Sequence, residues 1–123
     1  MTTAVFDYAV LRAVPRVERG ECVNVGVVLF CKDRDFLDVA VHLDPRRLVA
    51  LDPGADVEQV GAALLALRRT CAGEGPAGQT SLGQRFRWLT APRSTVLQAG
   101  AAHSGLTRDP AAELSRLLDR LVR

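Results

Sequence analysis

One run of the sequence reads Asn24-Val25-Gly26-Val27-Val28-Leu29-Phe30, and Asn24 is its one polar side chain. Aliphatic, β-branched and aromatic residues favour strands, so we predict a β-strand over Cys22–Cys31. An earlier run, Val5–Val14, alternates in the same manner and ends at Pro15. The short charged segment between the two runs can reverse the chain, which predicts an antiparallel hairpin.

Successive side chains of a strand point to opposite sides of the sheet. In the second strand we expect one aliphatic row to face the core: Val23, Val25, Val27 and Leu29. The opposite row would then hold Asn24, Gly26, Val28 and Phe30. Tyr8 and Arg12 share one side of the first strand, and if that side is the same, they converge with Asn24.

Capping signals predict where the helices begin. An aspartate followed by proline, as in Asp44-Pro45 and Asp109-Pro110, supplies an N-cap acceptor and a suitable first helical residue. Asp56 precedes apolar residues at helical spacing as far as Cys71, and a short helix is expected from near Ser81. The helix after Asp109 carries a leucine-rich stripe, so it should pack on the sheet.

Two further strands complete the predicted fold, Phe36–Leu43 and Ser94–Ala99. Residues 72–84 are rich in glycine and are predicted to form a flexible loop. We therefore predict an α+β fold with an antiparallel sheet of about four strands and helices mainly on one face. The helix after Asp56 and the C-terminal helix are expected together on that face, in a single domain over residues 1–123.

Composition narrows the function classes. A 123-residue chain that is 48% hydrophobic can bury one core without metal or disulfide. Its three cysteines lack the paired spacing of zinc sites and should be reduced thiols, so no metal and no cofactor is expected.

No basic leader or long apolar run follows Met1, which predicts a cytoplasmic protein without a membrane span. The net charge is +2, with 9 basic and 11 acidic groups over residues 1–84 but 7 and 3 over 85–123.

The first hairpin offers a candidate binding site. Asn24 and Arg12 could line a polar pocket in which Gly26 permits close approach and the guanidinium binds an anion. The alternative gives each residue a local role: Asn24 satisfies a turn, Gly26 marks a bulge, and Arg12 pairs with Glu21. The sequence leaves both open.

Other candidates lie in the C-terminal third. His103 is expected in a loop before a helix start, where a side chain can face a cleft, although it can equally be a surface histidine. Three arginines flank the single tryptophan, Trp88: Arg85, Arg87 and Arg93. Such a cluster is a weak signal for nucleic acid or phosphate. The alternative is that Arg85, Phe86, Trp88 and Leu89 anchor the short helix, with the Arg85 guanidinium against the indole.

Motifs at both ends of the chain carry a family resemblance. The N-terminal part contains Tyr8, Leu11-Arg12, Pro15, Glu21, Asn24-Val25-Gly26-Val27 and Phe30. The C-terminal part contains Arg85-Phe86, Leu89, Pro92-Arg93-Ser94, Gln98, His103, Gly105 and Asp109-Pro110. Together they resemble the bacterial family DUF3037, a domain of unknown function, over nearly the whole chain.

The resemblance implies no established activity. It implies an accessory role, because genes of the family often lie beside one for a HipA-like kinase-fold protein. The positions carried over as ligand- or partner-binding are Tyr8, Arg12, Glu21, Asn24 and Gly26, followed by Arg85, Arg93 and His103.

Three functions are compatible with these observations. The leading hypothesis is a non-catalytic accessory subunit that binds a protein partner, since no catalytic pair can be assembled from the residues. The second is a small enzyme or nucleotide- or phosphate-binding module using an Arg/Asn/His cleft. Nucleic-acid binding comes third. The sequence is also compatible with a homodimer.

Overall fold

The computed structural model describes residues 2–123, which form one compact α+β domain. Its elements follow in chain order: β1 Ala4–Ala13, β2 Val23–Cys31, β3 Phe36–Val41, α1 Pro45–Leu51, α2 Val57–Cys71, α3 Leu82–Leu89, β4 Leu97–Ala99, β5 His103–Thr107 and α4 Pro110–Leu121. None of the helices within residues 2–123 has the length and apolar content needed to cross a bilayer.

The sheet is antiparallel throughout, and β1 lies at its centre. β2 pairs along one side of β1 and is followed by β3. On the other side, β4 pairs with Leu11–Ala13 and β5 pairs with Ala4–Tyr8. Two short strands thus share the fourth position, so the prediction of about four strands is confirmed and five are present.

Helices cover both sides of the sheet. We call one side the α2 face: it packs Ala9, Leu11 and Val28 of the sheet against Leu48 of α1, Leu64 of α2 and Phe86 of α3. The α4 face packs Phe6, Val27 and Leu29 against Leu114, Leu117 and Leu118 of α4.

Three of the four helices in the described chain therefore share one face, as predicted, but the C-terminal helix lies opposite α2. The expectation that these two helices share a side was wrong. A leucine stripe shows that a helix is buried, but it does not say which side of the sheet buries it.

A β-bulge in β2 changes which side chains face the core. Leu11 lies opposite Gly26 and Arg12 lies opposite Asn24, so Val25 is an extra residue. Val25 packs on the α2 face, whereas Val27 packs on the α4 face. The predicted single aliphatic row was wrong, because the extra residue shifts the alternation.

The N-terminal ends of the helices agree with the capping predictions. Asp44, Asp56, Ser81 and Asp109 each accept a hydrogen bond from a backbone N–H of the following turn. Ser81 also forms a capping box with Gln84. His103, in contrast, was expected in a loop and begins β5 instead, with Tyr8 as its partner in register.

Candidate functional site

Asn24 and Arg12 lie side by side on the α4 face. They are opposite each other in the β1–β2 register, which confirms that they share a side. The Asn24 amide donates to the carbonyl oxygen of Leu121 at 2.9 Å, so it is occupied by the end of α4. The exposed Arg12 guanidinium lies against Gly100 and, among residues 2–123, pairs with no carboxylate.

An aromatic row continues along the same face. The ring centroids of Tyr8 and His103 lie 5.5 Å apart, and those of Phe6 and Tyr8 lie 5.9 Å apart. A Cβ at Gly105 would lie 2.7 Å from the Phe6 ring. The glycine therefore leaves room for the Phe6 ring to pack against the backbone of β5. His103 therefore belongs to a row of rings that contact one another at tilted angles.

Ser104 does not join His103. Adjacent residues of a strand point to opposite sides, and the Ser104 hydroxyl donates to the carboxylate of Asp7. The two side chains therefore form no nucleophile and base pair.

Glu21 lies in the turn between β1 and β2. It accepts a hydrogen bond from Arg19 Nε at 2.6 Å, and that bond lowers the pKa of the Glu21 carboxyl. Arg16 pairs with Asp52 at 3.3 Å. Both ion pairs line one open cleft, which has a volume of about 300 Å³. Glu21 thus binds Arg19, and the alternative pairing with Arg12 was wrong.

Arg85 holds together the two ends of the glycine-rich segment. Its Nη1 donates to the carbonyl oxygen of Cys71 and its Nη2 to that of Thr80, each at 3.0 Å. Its Nε is buried and has no hydrogen-bond partner in the described chain. The guanidinium therefore closes the loop after α2, and the predicted mobility of that loop stays a prediction.

Arg93, and not Arg85, lies on the indole. The Arg93 guanidinium carbon is 4.3 Å from the centre of the Trp88 ring, and the guanidinium also donates to the carbonyl oxygen of Trp88. Phe86 and Leu89 are 6% and 1% exposed and anchor α3, but Trp88 is 46% exposed. The expectation that Trp88 also anchors the helix was wrong.

Trp88 forms one wall of an apolar groove that the sequence did not predict. The groove lies between α2 and α3, has a volume of about 320 Å³, and is called here the α2–α3 groove. It is lined by Ala63, Ala66, Leu67 and Thr70 of α2, by Trp88 of α3, and by Arg93, Thr95, Val96 and Leu97. The single tryptophan was the one sequence signal that could have pointed to this groove. The opposite wall of the groove depends on how α2 packs, and the sequence does not show that.

The eight predicted site residues do not form one site. Tyr8, Arg12, Asn24 and His103 lie on the α4 face, Gly26, Arg85 and Arg93 belong to the α2 side, and Glu21 lies in the hairpin turn. Arg93 therefore shares no cleft with Arg12 and Asn24. Over residues 2–123, no three His, Cys, Asp or Glu side chains come together.

One of three comparisons with known proteins finds a match. No curated protein and no solved structure matches the chain. The model of one family, described as "Protein of unknown function (DUF3037)", matches residues 8–122, from within β1 to the end of α4. Since this match spans nearly all of the sequence, the chain belongs to the DUF3037 family.

Proposed function

We propose that this protein is a non-catalytic accessory subunit that binds a partner protein through the α2–α3 groove. One observation carries the proposal: Trp88 is 46% exposed on the wall of an apolar groove. Tryptophan offers a partner a large apolar surface with one polar N–H, and tryptophan and arginine are enriched among the residues that dominate the binding energy of protein interfaces. The stacked pair of Trp88 and Arg93 has the composition of such a contact.

The chemistry of the candidate groups supports binding over catalysis. His103 and Ser104 point to opposite sides of β5, and Asn24 is engaged by Leu121. Burial raises the pKa of the Cys71 thiol to about 11, which keeps it protonated and weakly nucleophilic at neutral pH. A nucleotide or phosphate site built from Arg12, Asn24 and Arg93 has less support, because Arg93 lies on the other side of the sheet.

The partner to test first is a HipA-like kinase-fold protein, which the family resemblance suggests. In this proposal the two proteins meet in the bacterial cytoplasm, and the partner covers the groove. A second copy of this chain is the competing occupant, and size measurements distinguish the two.

Size-exclusion chromatography of the two proteins, alone and mixed, tests the proposal. We expect one shared peak for the wild type and separate peaks for Trp88→Ala. The matched control is Val49→Ala, which removes another exposed apolar side chain, on α1, and should leave the shared peak intact. The melting temperature of each variant verifies that it is folded.

Three results would contradict the proposal. If the wild-type proteins elute separately, this partner is excluded. If the shared peak survives Trp88→Ala, the groove is excluded as the binding site. A single species of twice the chain mass, abolished by Trp88→Ala, assigns the groove to a second copy.

A further inference from the structure

We infer that the α2–α3 groove receives a short amphipathic helix whose apolar side chains are flanked by carboxylates. This inference rests on the proposed function and specifies the chemistry of the partner segment. Three features of the groove carry it: its length, the state of its hydrogen-bonding groups, and its charge.

The length of the groove matches two turns of helix. Along α2 its lining runs from Ala63 to Thr70, a distance of about 10 Å at the helical rise. A bound amphipathic helix presents its anchors at positions i, i+3 or i+4, and i+7, which span the same distance. Two or three apolar side chains can thus enter beside Trp88.

Two backbone carbonyl groups along the groove are already hydrogen-bonded, which disfavours an added strand there. The carbonyl oxygen of Val96 accepts from the backbone N–H of Val14 at 2.7 Å. That of Leu97 accepts from the Thr95 hydroxyl, also at 2.7 Å. A partner strand needs unpaired backbone groups, whereas a helix satisfies its own and needs only side-chain contacts.

The same contacts argue against a small polar ligand. Such ligands are held by several convergent polar groups. The exposed lining here is mainly apolar: the Thr95 hydroxyl is engaged, and Thr70 adds one further hydroxyl. Arg93 is the one charged side chain in the lining.

The one charged side chain that lines the groove is positive. None of the lining residues is acidic. Arg69, an exposed residue of α2, follows the lining residue Ala66 by three positions, which is about one helical turn. None of the salt bridges found among residues 2–123 involves Arg69 or Arg93. A guanidinium keeps further N–H donors after one hydrogen bond, so Arg93 can bind a carboxylate while it holds the Trp88 carbonyl.

A displayed random peptide library tests the inference without knowledge of the natural partner. Peptides of about 16 residues, roughly four helical turns, are selected on the wild-type protein and depleted on Trp88→Ala. We expect enriched peptides to be acidic and to carry leucine, methionine or aromatic residues at helical spacing. Ala66→Gln fills the groove from an exposed helical position and should also abolish binding. This second variant keeps the test valid if Trp88→Ala does not fold.

Synthetic versions of the enriched peptides give the affinities. Trp88 is the single tryptophan, so a blue shift of its emission reports directly on the groove. We expect Arg69→Glu to weaken binding by about tenfold and added salt to weaken it further. Arg46→Glu, a charge reversal on exposed α1, is the matched control and should change little.

The outcomes separate the inference from the proposed function. The enriched peptides could depend on Trp88 and yet be neutral or basic, with an affinity that Arg69→Glu does not change. That result would contradict the acidic helix but would still show that the groove is a binding site. If no peptide depends on Trp88, the inference fails outright, and co-elution with the partner protein then decides whether the proposed function survives.

Discussion

The side-chain amide of Asn24 donates to the carbonyl oxygen of Leu121 at 2.9 Å, which fixes the end of α4 to the bulge in β2. Arg47 of α1 donates to the next carbonyl, that of Val122. The last carbonyl groups of a helix have no partner within it and need one elsewhere. The one polar residue of the central run thus holds a helix in place.

Replacement of Asn24 should therefore destabilise the fold. We expect Asn24→Ala to lower the free energy of unfolding by about 1–3 kcal/mol, because a partly buried carbonyl loses its donor. Urea denaturation measures the change. The control Gln59→Ala, at an exposed position of α2, should change the free energy of unfolding by no more than about 0.5 kcal/mol. If both variants were equally stable, the Asn24 hydrogen bond would not be what holds the end of α4.

Gly26 has no room for a side chain. A Cβ at this position would lie 2.9 Å from the backbone oxygen of Ala40 in β3, and a backbone atom cannot turn aside as a side chain can. We expect Gly26→Ala to cost about 1–3 kcal/mol in urea denaturation, in the range of overpacked cores. Gly54→Ala is the control: its Cβ would make ordinary contact at 3.6 Å, and a similar loss there would contradict this explanation.

Arg85 should determine how open the glycine-rich loop is. A lysine cannot reach the carbonyl oxygens of Cys71 and Thr80 together, so Arg85→Lys should release the loop. A glutamate-specific protease that cuts after Glu74 should then cleave the variant faster than the wild type. Arg87→Lys, two positions along α3, is the control, and equal cleavage of all three proteins would show that Arg85 does not close the loop.

The three cysteines should differ sharply in reactivity. The thiolate is the reactive form, and burial raises the pKa of Cys71 to about 11, so this thiol stays protonated until well above neutral pH. Cys31 is fully buried, whereas Cys22 is exposed. We expect a thiol reagent at pH 7–8, quantified by mass spectrometry, to label Cys22 alone in the native protein and all three after denaturation. Rapid native labelling of Cys71 would contradict the packing of α2.

Much of the local structure could be predicted because its causes are local. The alternation in β1 correctly assigned Tyr8 and Arg12 to one side, because the extra residue of the bulge lies in β2 and leaves the alternation of β1 intact. Aspartate and serine caps marked the helix starts, since each side chain bonds a backbone N–H within its own first turn. β5 was missed because His103–Thr107 contains a glycine and lacks the β-branched pattern of a strand.

The sequence by itself determined the α+β class, the positions of the main helices and most strands, and the family, because these follow from periodicity, caps and motifs within short segments. Only the tertiary structure decided that Val25 bulges, that α4 packs opposite α2, and that Asn24 is taken up by Leu121. It also decided that Trp88 faces a groove. Each of these depends on which distant segments meet, and residues far apart in the chain carry no local signal of their eventual contact.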